Sequence, residues 1–169
     1  MNDMSLEIER RFLIKGKSWQ KLIINKTHIC QGYITSSIHG WTVRVRITDK
    51  KTATLTLKAN AQGIARYEYE YPIPLNEAKQ IFKTLSKKIT KTRYYLELKN
   101  GDWVVDCFEE ANKNLIIAEV ELNSIEEKIE LPDWCLKEVT SENSFSNAGL
   151  ANEPFSEWGE VKARKLLGT

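Results

Sequence analysis

The sequence is poor in the residues from which cross-links and soft-metal sites are made. It has three cysteines, Cys30, Cys107 and Cys135, far apart and without a Cys-x-x-Cys pair, and two histidines, His28 and His39. Neither a disulfide framework nor a structural zinc is expected, and reduced thiols in a cytoplasmic protein are the simplest reading. Long apolar runs are also missing. Nothing approaches the roughly 20 apolar residues of a membrane-spanning helix. The first residues, with Asp3, Glu7, Glu9, Arg10 and Arg11, lack the apolar centre of a signal peptide. There is no surplus of one charge either. Lys plus Arg number 25 against 23 Asp plus Glu, a net +2, which speaks against nucleic acid as a partner because that needs a broad basic surface. No Pro-, Gly- or Ser-rich linker, repeat or low-complexity run divides the chain. One domain over residues 1–169 is expected.

What the sequence has in quantity is two-residue alternation, the period of a β-strand. Strands are predicted at Leu6–Ile14, Thr27–Thr35, Trp41–Thr48, Thr52–Lys58, Ala65–Ile73, Ile89–Leu98, Asp102–Phe108 and Leu115–Leu122. Asp49-Lys50-Lys51 and Asn100-Gly101 have hairpin-turn chemistry, and Asn60 to Gly63 is a longer polar connection. A helix over Glu77–Ser86 is predicted, capped by Asn76 behind Pro74. A second is predicted after Ser156, with Trp158, Val161, Leu166 and Leu167 on one stripe and Lys162, Arg164 and Lys165 late in it. A short turn is expected around Ser18–Ile23. The fold class is α+β, dominated by one antiparallel sheet whose closure into an eight-stranded barrel would remove its edges.

The polar half of each alternation is unusual. One face of the first strand presents Glu7, Glu9 and Arg11, and later strands present Arg44 and Arg46, Lys58, Glu68 and Glu70, Lys91 and Arg93, Asp106, and Glu119 and Glu121. A sheet with one face in water also alternates apolar and polar residues, and cross-strand ion pairs there are worth only a few tenths of a kcal/mol. That explanation covers any one strand. It covers the set poorly, because same-sign pairs two residues apart repel and recur on strand after strand. If this face lines a barrel, basic strands suit a polyanion and acidic strands suit a hard divalent cation such as Mg²⁺. A metal–triphosphate complex is then the natural ligand. Of two such metals, one would neutralise phosphate charge and the other would activate a water for in-line attack.

The ordered motifs resemble the CYTH superfamily, the triphosphate tunnel metalloenzymes. They are Glu7-x-Glu9-x-Arg11, Gln31-Gly32-Tyr33, Val43-Arg-Val-Arg-Ile47, Thr54-Leu-Thr-Leu-Lys58, Arg66-x-Glu68-x-Glu70, Lys91-Thr-Arg93, Val104-Val-Asp106, Ala118-Glu-Val-Glu-Leu122, Glu138-Val-Thr140 and Asn147-Ala-Gly-Leu-Ala151. The resemblance implies an eight-stranded antiparallel tunnel with helices packed outside, and Mg²⁺- or Mn²⁺-dependent hydrolysis of a small triphosphate. It implies metal binding by Glu7, Glu9, Glu119 and Glu121, and phosphate binding by Arg11, Arg44, Arg46, Lys58, Lys91 and Arg93. Glu9, Glu121, Lys91 and Arg93 are the implied catalytic residues. Glu68, Glu70 and Asp106 are implied supporting tunnel residues. Tyr33 is one more, at a place where similar bacterial members carry a tyrosine that influences which polyphosphate is cleaved. The family's first motif usually ends in Lys where this chain has Arg11, which keeps the charge but not an easily lost proton.

Inorganic tripolyphosphatase activity is the leading expectation, for a monomer or homodimer that binds neither nucleic acid nor membrane. Class IV adenylyl cyclase, thiamine triphosphatase and a non-catalytic polyphosphate- or nucleotide-binding module are the alternatives. His28 and His39 are expected at the surface, and Cys107, facing away from Asp106, is expected to be an apolar filler. The tryptophans, Trp19, Trp41, Trp103, Trp134 and Trp158, are expected to cover the barrel exterior. Lys87-Lys88 is read as a solvated helix end.

Overall fold

The computed structural model describes residues 6–37, 40–61, 63–99 and 101–168. His39, Gln62 and Asn100 lie outside the described residues. The strands are β1 (Leu6–Ile14), β2 (Ile23–Thr35), β3 (Thr42–Thr48), β4 (Thr52–Asn60), β5 (Ala65–Pro72), β6 (Lys88–Leu96), β7 (Asp102–Phe108), β8 (Ile116–Glu121) and β9 (Cys135–Glu138). The helices are α1 (Leu75–Thr84), α2 (Asn147–Asn152) and α3 (Glu160–Leu167). Adjacent strands run antiparallel in the order β5-β4-β3-β2-β6-β7-β8-β1, and β5 pairs back onto β1 through Leu6 to Ile8. The eight-stranded barrel expected from the alternation is therefore closed. None of the helices among the described residues is long and apolar enough to cross a membrane.

Ion pairs reveal which face is inside. Arg44 on β3 donates to Glu68 on β5 at 2.9 Å, over β4. Arg93 on β6 bonds Glu119 on β8, over β7, and Lys58 on β4 bonds Glu7 on β1, over β5. Side chains can reach past an intervening strand in this way only on the concave side of a curled sheet. The charged face is the interior.

The apolar face is covered in two places. Val45, Ile47 and Ala53 pack under Ala78 of α1, with Ile81 and Phe82 alongside. Gly32 permits this, because a Cβ there would lie 2.7 Å from Leu85 Cδ1. Around the rest, Ile8, Phe12, Trp103, Val105, Ala118 and Val120 pack against Trp19 and Trp134. Cys107 joins that layer as a filler, its thiol pushed up to about 11 by burial.

One end of the interior is hydrocarbon. Leu13, Ile89, Phe108, Leu115 and Ile117 pack there against Val139, Phe145, Leu150, Trp158 and Leu166 from the C-terminal segment. Trp158 is thus not on the barrel exterior; its indole N–H donates to Glu153 O at 3.1 Å as it helps close the end. Trp41 is 48% exposed beside Tyr69 and covers little.

Local departures have local causes. α1 starts at Leu75, one residue past Pro74, whose fixed φ suits a helix start, so Asn76 is inside the first turn and caps nothing. Ser156 falls in a 3₁₀ turn, Gly159 precedes α3, and Val161 is 84% exposed, outside the buried stripe. β9 adds to β1 beside Phe12–Ile14; its four residues are too short to show alternation. His28 is partly exposed on the outer face, 3.5 Å from Glu109.

Candidate functional site

The site starts where the inward face changes character. On four strands the last charged residue is followed, one step of two residues on, by an apolar one. Arg11 precedes Leu13 on β1, and Lys91 follows Ile89 on β6. Asp106 precedes Phe108 on β7, and Glu119 follows Ile117 on β8. These four charges are 7%, 0%, 0% and 6% exposed. Lys91, Asp106 and Glu119 are held in ion pairs that offset the cost of burial, and Arg11 donates to the Thr140 carbonyl. Lys91 Nζ donates to Asp106 Oδ2 at 2.5 Å, and Arg93 forks onto both Asp106 oxygens at 2.8 and 2.7 Å. Burial alone would lift the Asp106 carboxyl, but Arg93 and Lys91 hold it well below the ordinary carboxylate range. Burial lowers Lys91, whose amine also stands 5.4 Å from the Phe108 ring. Burial raises Glu119, with Asp106 and Glu9 adding to the rise.

Above this layer lies a cavity of about 580 Å³. Its charged wall is Arg11, Arg44, Lys58, Arg66 and Lys87, with Glu9 the only acid among the described residues that line it. Two of these guanidiniums keep unused capacity: Arg11 Nε and Arg44 Nε are buried and have no hydrogen-bond partner. Arg11 is oriented by Thr140, whose carbonyl accepts from its Nη2 at 2.7 Å. Arg46, held by Gln31 at 3.1 Å, is pushed down to about 10 by burial and by the neighbouring charges of Arg44 and Arg93. Guanidiniums crowded in this way are stabilised by an anion among them. Tyr33 is buried at the cavity wall, its hydroxyl accepting from Gln31 Nε2 at 2.5 Å and raised in pKa by burial.

The carboxylates have the opposite problem. Glu9 stands directly opposite Glu121 in the β1–β8 register, and Glu121 faces Asp102 on its other side. Like charges directly opposite destabilise a sheet. Partial desolvation and the charges of Glu7, Glu9 and Asp102 raise Glu121 above the ordinary range. Such a set of hard oxygen donors fits a divalent cation, which relieves the repulsion. Among the described residues no three Asp, Glu, His or Cys side chains form a ready-made cation shell. One or two carboxylates are enough for Mg²⁺ when phosphate oxygens complete the shell.

Every residue expected at the site is on the inward face, but only some of them meet at the cavity. Glu9, Arg11, Tyr33, Arg44 and Lys58 line the cavity. Lys91, Arg93, Asp106 and Glu119 form the layer beneath it. Glu7 is tied to Lys58 and Glu68 to Arg44, while Glu70 accepts from Thr56 at 2.8 Å and lies 3.7 Å from Arg46. Glu121 is exposed at the end of β8.

Several lining residues were missed. Lys87 is exposed, as expected of a solvated residue, but α1 stops at Thr84 and Lys87 lies past it, at the cavity wall. Lys88 starts β6 instead, its amine 4.8 Å from the Phe82 ring. Arg66 shares the face of Glu68 and Glu70, and that phase was signal enough. Thr140, Ser146 and Asn147 come from loop and helix ends without periodicity.

This geometry can be set beside known proteins. The family model described as the CYTH domain matches residues 5–149. An inorganic triphosphatase of Acetivibrio thermocellus is 36% identical over 159 residues, 93% of this chain and 100% of that protein. A crystal structure of an inorganic triphosphatase superposes with a TM-score of 0.64 at 27% identity, covering 86% of this chain and 93% of that one. A Pyrococcus horikoshii protein shares the fold, with a TM-score of 0.57 at 17% identity over 71% of this chain and 80% of its own. Motif order, barrel and family match agree, and the chain belongs to the CYTH domain family.

Proposed function

We propose that this protein hydrolyses inorganic triphosphate, most simply tripolyphosphate, to release orthophosphate with the help of Mg²⁺ or Mn²⁺. One observation carries the reading: among the described residues, five cations and one carboxylate surround a cavity whose neighbouring strand ends hold crowded glutamates. The inorganic triphosphatase relatives support it. In this reading Arg11, Arg44, Arg46, Lys58 and Arg93 bind phosphate oxygens and spread the charge of the transferring phosphoryl group. Arg11 and Arg44 each keep a buried Nε donor that no protein group takes. Glu9 and Glu121, backed by Glu7 and Glu119, hold the divalent cation. When bound, that cation supplies charge neutralisation and Lewis acidity. Glu68 and Glu70 hold the arginines in place until phosphate displaces them, and Asp106 fixes Arg93. Tyr33 is the only aromatic residue among the described lining residues, which favours an unsubstituted triphosphate over one carrying a base. The whole site comes from one chain, so a monomer or a homodimer in the cytoplasm would both serve.

The test is phosphate release from tripolyphosphate, ATP and thiamine triphosphate, each with Mg²⁺, Mn²⁺ or EDTA. Turnover is expected to be fastest with tripolyphosphate and abolished by EDTA. Cyclic AMP as the product from ATP would replace the proposal by a cyclase, and preference for thiamine triphosphate would reassign the substrate. Tight binding without turnover under any metal would leave a binding module.

A further inference from the structure

The C-terminal segment does more than close the barrel. Asn147, the first residue of α2, lines the cavity, and its Oδ1 accepts from Lys91 Nζ at 2.9 Å. Lys91 itself has no exposed surface, and its other hydrogen-bond partner is Asp106. Lysine is only a donor, so the amide must turn its oxygen toward it. The Nδ2 protons are then the remaining donors of a side chain that lines a cavity walled by cations. The backbone beneath is equally fixed. Ser146 Oγ accepts from Gly149 N at 2.9 Å, and a Cβ on Gly149 would lie 2.1 Å from Asn143 O. Only glycine lets α2 seat there, which gives the Asn-Ala-Gly sequence a physical reason.

We infer that Asn147 binds substrate, donating its Nδ2 protons to a phosphate oxygen, and that Lys91 is a positioning residue that orients the amide. The inference rests on the triphosphate reading of the cavity and deepens it. A neutral donor adds direction without adding charge, so its share of the affinity persists in salt that screens the lysines and arginines.

Calorimetric titration with sodium tripolyphosphate in EDTA tests this on wild type, Asn147→Asp, Asn147→Ala and Asn152→Asp, with thermal melts alongside. Asn147→Asp keeps an oxygen for Lys91 but replaces the donor by a charge. It is expected to lose about tenfold or more in affinity, with Tm held or raised. Asn152 lines the same cavity; Asn152→Asp brings the same charge and should lose far less. Asn147→Ala should lose affinity that roughly 0.5 M salt leaves lost, and this variant serves if Asn147→Asp fails to fold. Wild-type affinity in Asn147→Asp or Asn147→Ala, or an equal loss in Asn152→Asp, would overturn the inference. If wild type itself binds no tripolyphosphate, with or without Mg²⁺, the triphosphate reading fails instead.

Discussion

The barrel interior has two halves built from the same strands, one of hydrocarbon and one of charge. Leu13, Ile89, Phe108 and Ile117 sit in the first, and Arg11, Lys91, Asp106 and Glu119 begin the second, two residues away on the same face. The dry half gives the packing and a low-dielectric floor. On that floor paired charges interact strongly and unpaired ones are costly, so Lys91, Arg93 and Asp106 are held in one arrangement. The wet half keeps what the dry half cannot tolerate: unused guanidinium donors at Arg11 and Arg44, and glutamates set against each other at Glu9 and Glu121. Stability is made in one half and capacity to bind is stored in the other.

The sharpest way to break this division is at the boundary. Asp106→Asn leaves two buried cations without their counter-ion and is expected to cost about 3–5 kcal/mol in urea unfolding. Because the folded Asp106 carboxyl lies below its unfolded value, its stabilisation is present above about pH 4. It is lost as the pH falls through the folded value, so the variant should have a flatter acid limb. A loss under about 1 kcal/mol would show that the boundary charges are not coupled.

Next in size is the wet half. Glu121→Gln should lower kcat by about 10²–10³-fold while stability holds or rises, since a repelled carboxylate is removed. A parallel fall in activity and stability would contradict the division. In the dry half, Leu166→Ala should cost about 2–4 kcal/mol and leave KM for tripolyphosphate near wild type. Arg44→Ala, a smaller change, should raise KM about tenfold, with the effect growing as substrate charge grows. An unchanged KM would remove Arg44 from the phosphate grip. Smallest is Val161→Ala, on an exposed helix face, expected within about 0.5 kcal/mol of wild type.

Much of the barrel was legible because alternation is a local signal that records which side of a strand is buried. The strands from β1 to β8 fall where the period predicts them, with ends that shift by a few residues. Sequence phase also put Glu7, Glu9, Arg11, Arg44 and Arg46 on one face. It could not tell that Lys91 lies under the cavity and Arg44 beside it, for the two look alike in phase and charge. That distinction depends on which residues come from elsewhere to cover them. Over Lys91 that residue is Asn147, from a segment with neither helical nor strand period. Lys87 comes to the cavity wall for the same reason: it lies in a turn past α1, and no periodicity describes that turn.

The sequence by itself determined a charged and an apolar face for each strand, the antiparallel sheet those faces imply, and the matched stock of acids and bases behind the net charge of +2. Each follows from neighbours close along the chain. Only the tertiary structure decided that the charged face turns inward, that one end is filled with hydrocarbon, and that Arg11, Arg44, Lys58, Arg66 and Lys87 meet the C-terminal segment around one cavity. Those outcomes depend on contacts between distant residues: β5 closing onto β1, and the C-terminal segment folding back across the barrel end. The near-neutral total hides a site of strong local charge because closure gathers opposite signs around one space without changing their sum.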